Sequence, residues 1–184
     1  MPRWSPNAAL RLEEAAMSLF DEQGYQATTV PQIVERAGLT TRTFFRHFAD
    51  KRDVLFLRER EFPQVVGASL AAAPQTMRPL DLVRLGLRNA ALELEPLRRP
   101  IARRRRIIRR EAQLRERELL QYDRLSNAVR AALLERRTGP REALLFGRLS
   151  ALVFELSLDE WLDDPSRRLA DVVEATCADL LPSR

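Results

Sequence analysis

A single residue, Leu39, separates Gly38, where one short helical segment must end, from Thr40, where the next can begin. Few folds accommodate so abrupt a corner. Gly38 permits the left-handed turn that closes a helix, Leu39 plugs the angle, and the helix begun by Thr40 is left to project outward. Upstream, Thr29-Val30-Pro31-Gln32 has capping-box spacing: the Thr29 hydroxyl can accept from the third helical amide while Gln32 reaches back. Pro31 falls in the first turn, where its missing N–H costs nothing. That second helix turns Val30, Ile33, Val34 and Ala37 inward, and the third contributes Phe44 and Phe48 to the same core. A first helix is expected over 7–23, with Leu12, Ala16, Leu19 and Phe20 on one stripe and Gly24 as its stop. Asp50, with Asp53 three residues on, starts a fourth that is expected to run through Leu57 and Phe62.

Beyond Pro74 the helical period continues in longer segments, expected at roughly 79–95, 97–111, 112–137, 140–163 and 165–181. Pro79, Pro140 and Pro165 sit where first turns would begin, and Asp164 is positioned to cap the last helix. No stretch alternates as a strand does, so the fold class is all-α, with a helix-turn-helix domain at 1–52 and a helical regulatory and dimerisation domain at 53–184.

Composition removes whole classes of function. No apolar run approaches the ~18 residues that span a bilayer, and Met1-Pro2-Arg3-Trp4-Ser5-Pro6 has no apolar signal core, so no membrane partner is expected. One cysteine, Cys177, forbids an intrachain disulfide and fits a cytoplasmic location. One histidine, His47, makes a His/Cys metal site nearly impossible and a Ser-His or Cys-His catalytic set dependent on that residue alone. No cofactor or metal is expected. Charge is unevenly spread. Residues 1–60 carry nine basic and eight acidic side chains, 61–139 carry seventeen and nine, and 140–184 carry five and nine. A positive middle suits an anionic partner, of which nucleic acid is the usual one.

The residues around the corner carry a resemblance. Ala15-Ala16, Leu19-Phe20, Gly24-Tyr25, Thr28-Thr29-Val30, Ile33-Val34, Ala37-Gly38-Leu39-Thr40, Thr43-Phe44-Phe45-Arg46-His47-Phe48, Lys51 and Leu55 follow one another as in the N-terminal domain of the tetracycline-repressor (TetR) family of bacterial transcription regulators, over about 45 residues. The rest of the chain resembles the family only in general plan. The resemblance implies a homodimer whose recognition helices read the half-sites of a palindromic double-stranded DNA operator. It also implies a C-terminal pocket in which a small-molecule inducer changes the spacing of those helices and ends repression.

On that reading Thr29 and Thr40 present hydroxyls and free amides suited to phosphate, besides acting as caps. Thr41, Arg42 and Thr43 begin the recognition helix and meet base edges. Arg42 can bind guanine O6 and N7 in bidentate fashion, for ~1–3 kcal/mol of discrimination, and threonine methyls can pack on thymine. Arg46, His47 and Lys51 are placed for phosphates, which fix register without reading sequence. Phe45 departs from the resemblance: the family usually has a tyrosine there, donating to a phosphate. Phe45 cannot donate, so its ring packs on a sugar, Arg46 compensates, or the contact is lost.

Farther along, eleven of the sixteen residues from Ala143 to Leu158 are apolar, which predicts a helix buried on two sides. Leu145, Leu149, Leu152 and Leu156, with Val172, Val173, Thr176 and Leu180 of the last helix, are the expected dimer face. The alternative is that both helices complete a monomer core. Phe62, Arg88, Tyr122, Phe154 and Trp161 are the aromatic and polar groups that could face a ligand cavity, and Arg88 suits an anionic or amphipathic organic molecule. Residues 98–110 hold eight arginines and no acid. They form either a solvated helix neutralised by neighbouring carboxylates or a surface with salt-dependent, non-specific attraction for DNA or an anionic ligand. An arm carrying Arg3 is a further minor-groove candidate. Two other readings stay open: a nucleic-acid binder indifferent to sequence, and an enzyme using the C-terminal cavity, against which the scarcity of His and Cys argues.

Overall fold

The computed structural model describes residues 8–57 and 62–180; the expectations placed on Arg3 and on the side chains of Phe62 and Leu180 lie outside the described residues. Every regular element among the described residues is helical: α1 (Ala8–Gln23), α2 (Val30–Arg36), α3 (Thr41–His47), α4 (Lys51–Val54), α5 (Phe62–Ala72), α6 (Pro79–Leu94), a 3₁₀ turn (Glu95–Leu97), α7 (Arg98–Arg110), α8 (Ala112–Glu135), α9 (Pro140–Asp163) and α10 (Leu169–Leu180). They form two compact units, one of residues 1–60 with 103–114, the other of 61–102 with 115–184.

The first unit closes around Leu12, Phe20, Ile33, Phe44 and Phe48, with Ile107, Ile108 and Leu114 joining from the later segment. α4 is shorter than expected. Val54, Leu55 and Phe56 are consecutive and all buried, and no single face of an α-helix can bury three successive side chains. The backbone tightens instead, with i→i−3 bonds from Leu55 to Arg52, Phe56 to Asp53 and Leu57 to Val54. The arginine-rich helix is also less solvated than expected. Arg104 and Arg105 are buried, Ile107 and Ile108 are in the core, and the Arg104 guanidinium lies 6.0 Å from the Phe56 ring centroid. Arg103 is neutralised by neighbouring carboxylates, at 3.0 Å from Glu14 and 2.5 Å from Asp21.

The second unit is a helical core built on Leu70, Leu87, Leu125, Val129, Val153, Trp161 and Val172. α8 approaches α9 closely at one point, where a Cβ on Gly147 would lie 2.6 Å from the Ser126 carbonyl oxygen. Two serines of α9, Ser150 and Ser157, are buried; Ser150 donates to the Gly147 carbonyl at 2.7 Å and Ser157 to the Thr176 hydroxyl of α10 at 3.1 Å. The last helix begins four residues later than expected, and Asp164 does not cap it. The Asp164 carboxylate accepts from Ser166 N at 2.9 Å, holding Pro165 in an Asx turn. The cap comes from Glu95, whose carboxylate accepts from Ala170 N at 3.1 Å. Cys177 is buried, and burial pushes its thiol up to about 11.

Candidate nucleic-acid interface

The corner forms by the chemistry its residues dictate. Thr29 accepts from Gln32 N, while Thr29 N donates to the Gln32 side chain at 2.8 Å, completing the reciprocal box. At the far end of α2, Gly38 takes φ +61°. Gly38 N donates to Glu35 O at 3.0 Å and Leu39 N to Val34 O at 2.8 Å, the paired bonds of a Schellman closure. Arg11 of α1 donates to the Ala37 carbonyl. The Thr40 hydroxyl then accepts from Thr43 N at 3.1 Å and opens α3.

α3 buries one side and shows the other. Phe44 has no exposed surface, whereas Phe45 is 57% exposed; the Phe45 ring stands edge-on to Phe44 with centroids 5.4 Å apart. Thr41, Arg42 and Arg46 are exposed and Thr43 is half-buried, so the outer face of α3 offers two guanidiniums, an apolar ring and hydroxyls with no acid among them. His47 is different. It is half-buried, with its ring 6.3 Å from that of Phe48.

Lys51 is also different from its expected role. Its ammonium donates to the carbonyls of Tyr25 at 2.7 Å, Thr28 at 2.9 Å and Gln26 at 3.3 Å, and lies 4.3 Å from the Tyr25 ring centroid. Three donors meet three acceptors, so Lys51 is a clasp on the loop before α2 and not a spare phosphate ligand. Burial holds its pKa below the usual lysine value, opposed by the charge of Glu111. The same loop is fastened by Thr28, whose hydroxyl donates to Gly24 O at 2.8 Å, and by Gln26, which donates to Glu111 at 2.6 Å. Asp50 caps α4 through Arg52 N at 2.8 Å and Asp53 N at 3.2 Å, and Asp53 accepts from Ala49 N at 2.7 Å. The Asp50–Asp53 spacing signals the start of α4, whereas the Lys51, Thr28 and Gln26 fasteners have no signal in the local sequence.

In the second unit the expected ligand residues separate. Trp161 and Phe154 are buried in the core. Arg98 stacks 4.8 Å from the Trp161 ring centroid and donates to the Trp161 and Leu162 carbonyls. Tyr122 packs edge-on to Phe154 with centroids 6.5 Å apart. Arg88 is exposed on α6. An open cleft of about 250 Å³ is lined by Gln75, Met77, Leu82, Leu133, Arg136, Arg137, Thr138 and Glu142, with none of the five expected residues among them. Among the described residues no three His, Cys, Asp or Glu side chains gather as a metal site, and no helix is long and apolar enough to cross a membrane.

The expected dimer residues divide in the same way. Leu145, Leu152 and Leu156 are 60%, 45% and 48% exposed, and Leu149 is half-buried among them. Val172 and Val173 have no exposed surface. Packed wholly inside their own protomer, they have nothing to offer a partner. Thr176 is half-buried, bonded to Val172 O at 2.9 Å.

Residues 12–56 match the model of bacterial regulatory proteins, tetR family. The HTH-type transcriptional regulator TcmR of Streptomyces glaucescens is 40% identical over 71 residues, which are 39% of this chain and 31% of TcmR. The match therefore spans about a third of that relative's length. Over nearly the whole chain the fold is that of solved regulators. A SmeT–triclosan complex aligns with a TM-score of 0.66 at 20% identity, covering 94% of this chain and 90% of that one. The transcriptional regulator FadR from Bacillus subtilis in complex with stearoyl-CoA aligns with a TM-score of 0.64 at 16% identity, covering 94% and 97%.

Proposed function

We infer that this chain, a member of the tetR family of bacterial regulatory proteins, binds a palindromic operator as a homodimer and represses transcription until a small-molecule inducer releases it. The observation that carries the reading is the outer face of α3. Arg42, Phe45 and Arg46 stand exposed, with no carboxylate among them, on a helix held rigidly by the Thr40 cap and the Gly38 corner. Such a face costs solubility or stability unless it meets a polyanion with apolar features, and the major groove offers both phosphates and thymine methyls. In this reading residues 1–52 are the DNA-binding domain and 53–184 the regulatory one, Arg42 reads a base pair with Thr41 and Thr43 beside it at the base edges, and Thr29, Thr40 and Arg46 position the protein on the backbone. The location is the cytoplasm.

Dimerisation is assigned to α9. An antiparallel copy centred at residues 150–151 sets Leu145 against the partner's Leu156 and Leu149 against the partner's Leu152, closing the exposed leucine stripe on itself. The ligand is assigned to the second unit. An amphipathic organic molecule is consistent with the stearoyl-CoA and triclosan bound by the similar structures.

The test is a mobility shift with footprinting on the DNA upstream of the protein's own gene, at several salt concentrations. A palindrome protected against competitor DNA is expected. Arg42→Ala should then lose ~1–3 kcal/mol of discrimination at one base pair per half-site. Equal binding to scrambled duplex would defeat the operator reading. Leu152→Arg should yield monomers by light scattering; a dimer unchanged by that substitution removes α9 from the interface.

A further inference from the structure

Resting on the DNA-binding reading above, we propose that Arg106 and Arg110, outside the helix-turn-helix, contact DNA phosphates flanking each half-site. The segment 103–114 belongs to the first unit although it lies some fifty residues beyond α4 in sequence. It is anchored there by Ile107, Ile108 and Leu114 in the core and by the Arg103 pairs to Glu14 and Asp21. Its arginines divide sharply. Arg103 is spent on carboxylates and Arg104 and Arg105 are buried, but Arg106, Arg109 and Arg110 are exposed, and of these Arg106 and Arg110 meet no carboxylate among the described residues.

Their position follows from their neighbours. Arg110 is one turn beyond Arg106, two turns beyond Arg103 on the side of α7 that faces α1, and adjacent to Glu111. Glu111 accepts from Gln26 at 2.6 Å. Gln26 is in the loop that Lys51 clasps, and Thr29, three residues on, opens α2. Three residues span at most about 11 Å, well within reach of a long arginine side chain and a short approach by the backbone. In a helix-turn-helix docked by its second helix, the first helix crosses the phosphate backbone, so the arginines beside its entry loop fall along the strand outside the half-site. A guanidinium there adds affinity and salt dependence without reading sequence.

The experiment compares the parent, Arg106→Gln/Arg110→Gln and Arg99→Gln on the footprinted palindrome. Each is measured on a duplex cut at the palindrome's ends and on one extended by roughly one helical turn, ~10 base pairs, each side. The parent should bind the longer duplex more tightly and with a steeper salt slope. Each lost contact should reduce the slope by ~0.9, so the double variant in a dimer should lose up to ~3.6 and most of the gain from the flanks. Its preference for palindrome over scrambled DNA should be unchanged. Arg99→Gln, which removes one charge from an exposed α7 residue of the other unit, should match the parent. If the double variant keeps the parent's slope and flank gain, or if Arg99→Gln loses as much, the proposal fails while operator binding stands. If the parent binds no duplex selectively, both fail.

Discussion

Helix N-termini are closed in different ways in the two units. In the first, α2, α3 and α4 are each capped by a side chain within the next turn's reach: Thr29, Thr40 and Asp50. In the second, α6 and α9 have no side-chain cap, and α10 is capped by Glu95 from 75 residues away. C-terminal ends repeat the pattern there. Arg136 closes α5 through the carbonyls of Leu70, Ala73 and Pro74, and Arg98 closes α9 through those of Trp161 and Leu162. A locally capped helix keeps its ends whatever its neighbours do, which suits a reading head. A helix capped from afar loses its end when the neighbour shifts, which suits the ligand response proposed for this unit.

The comparison is most exposed to failure at the α8–α9 crossing, where the second unit depends on distance rather than on caps. Gly147→Val puts a branched side chain against the Ser126 carbonyl, which its Cβ would approach at 2.6 Å. Helix backbone cannot yield as a flexible side chain does, so a loss of about 3 kcal/mol is expected. At about 2–4 °C per kcal/mol for a chain of this size, the melting temperature should fall by roughly 6–12 °C. A variant melting within ~2 °C of the parent would show that the two helices can slide apart freely.

The long-range caps themselves come next. Arg136→Leu keeps the apolar stem but leaves three carbonyls at the end of α5 without their cation, at a cost of about 2 kcal/mol by denaturant midpoint. The loss should also raise hydrogen exchange in α5 more than in α8, which ends just before Arg136. Uniform exchange across the unit would mean that Arg136 contributes to the core as a whole and not to the end of one helix.

What could be read in advance follows the same division. The Thr29 box, the Gly38 corner and the Thr40 cap lie within a few residues of the groups they satisfy, so their chemistry is written in adjacent letters, as is the exposed face of Arg42, Phe45 and Arg46. The cap expected of Asp164 does not form: Asp-Pro-Ser closes an Asx turn, and Glu95, remote in sequence and so invisible to local spacing, caps the helix instead. Lys51 has the motif position of a phosphate ligand, and only the folded loop reveals three carbonyls converging on it. Val172 and Val173 have helical spacing that fits a core and an interface alike; which one they serve depends on α6 and α9 packing over them. The arginine-rich helix was misjudged because the burial of Arg104 and Arg105 depends on a unit assembled from two distant stretches.

A smaller effect tests the local side of the comparison. Thr40→Ala removes the acceptor for Thr43 N at 3.1 Å and should cost about 1 kcal/mol, while Thr40→Ser should restore nearly all of it. Because the cap is local, exchange should quicken in α3 and leave α2 unchanged. A loss spread over α1 and α2 would mean that the corner, not the cap, holds the recognition helix.

The smallest expected effect has the opposite sign. α8 ends in the same Schellman pattern as α2, with Thr138 N donating to Leu133 O and Arg137 N to Leu134 O, both within 3.1 Å. Here, however, the left-handed position is held by Arg137 at φ 64°, where α2 uses Gly38. A side chain with a Cβ is strained there, whereas glycine is not. Arg137 is exposed, so Arg137→Gly gives up little packing, and the relief should outweigh glycine's larger unfolded-state entropy for a net gain of roughly 0.5 kcal/mol. Arg137→Ala separates the causes. It removes the same guanidinium but keeps the Cβ, so it should show no gain; equal stabilisation by both would trace the effect to charge repulsion beside Arg136 and leave the backbone strain without consequence.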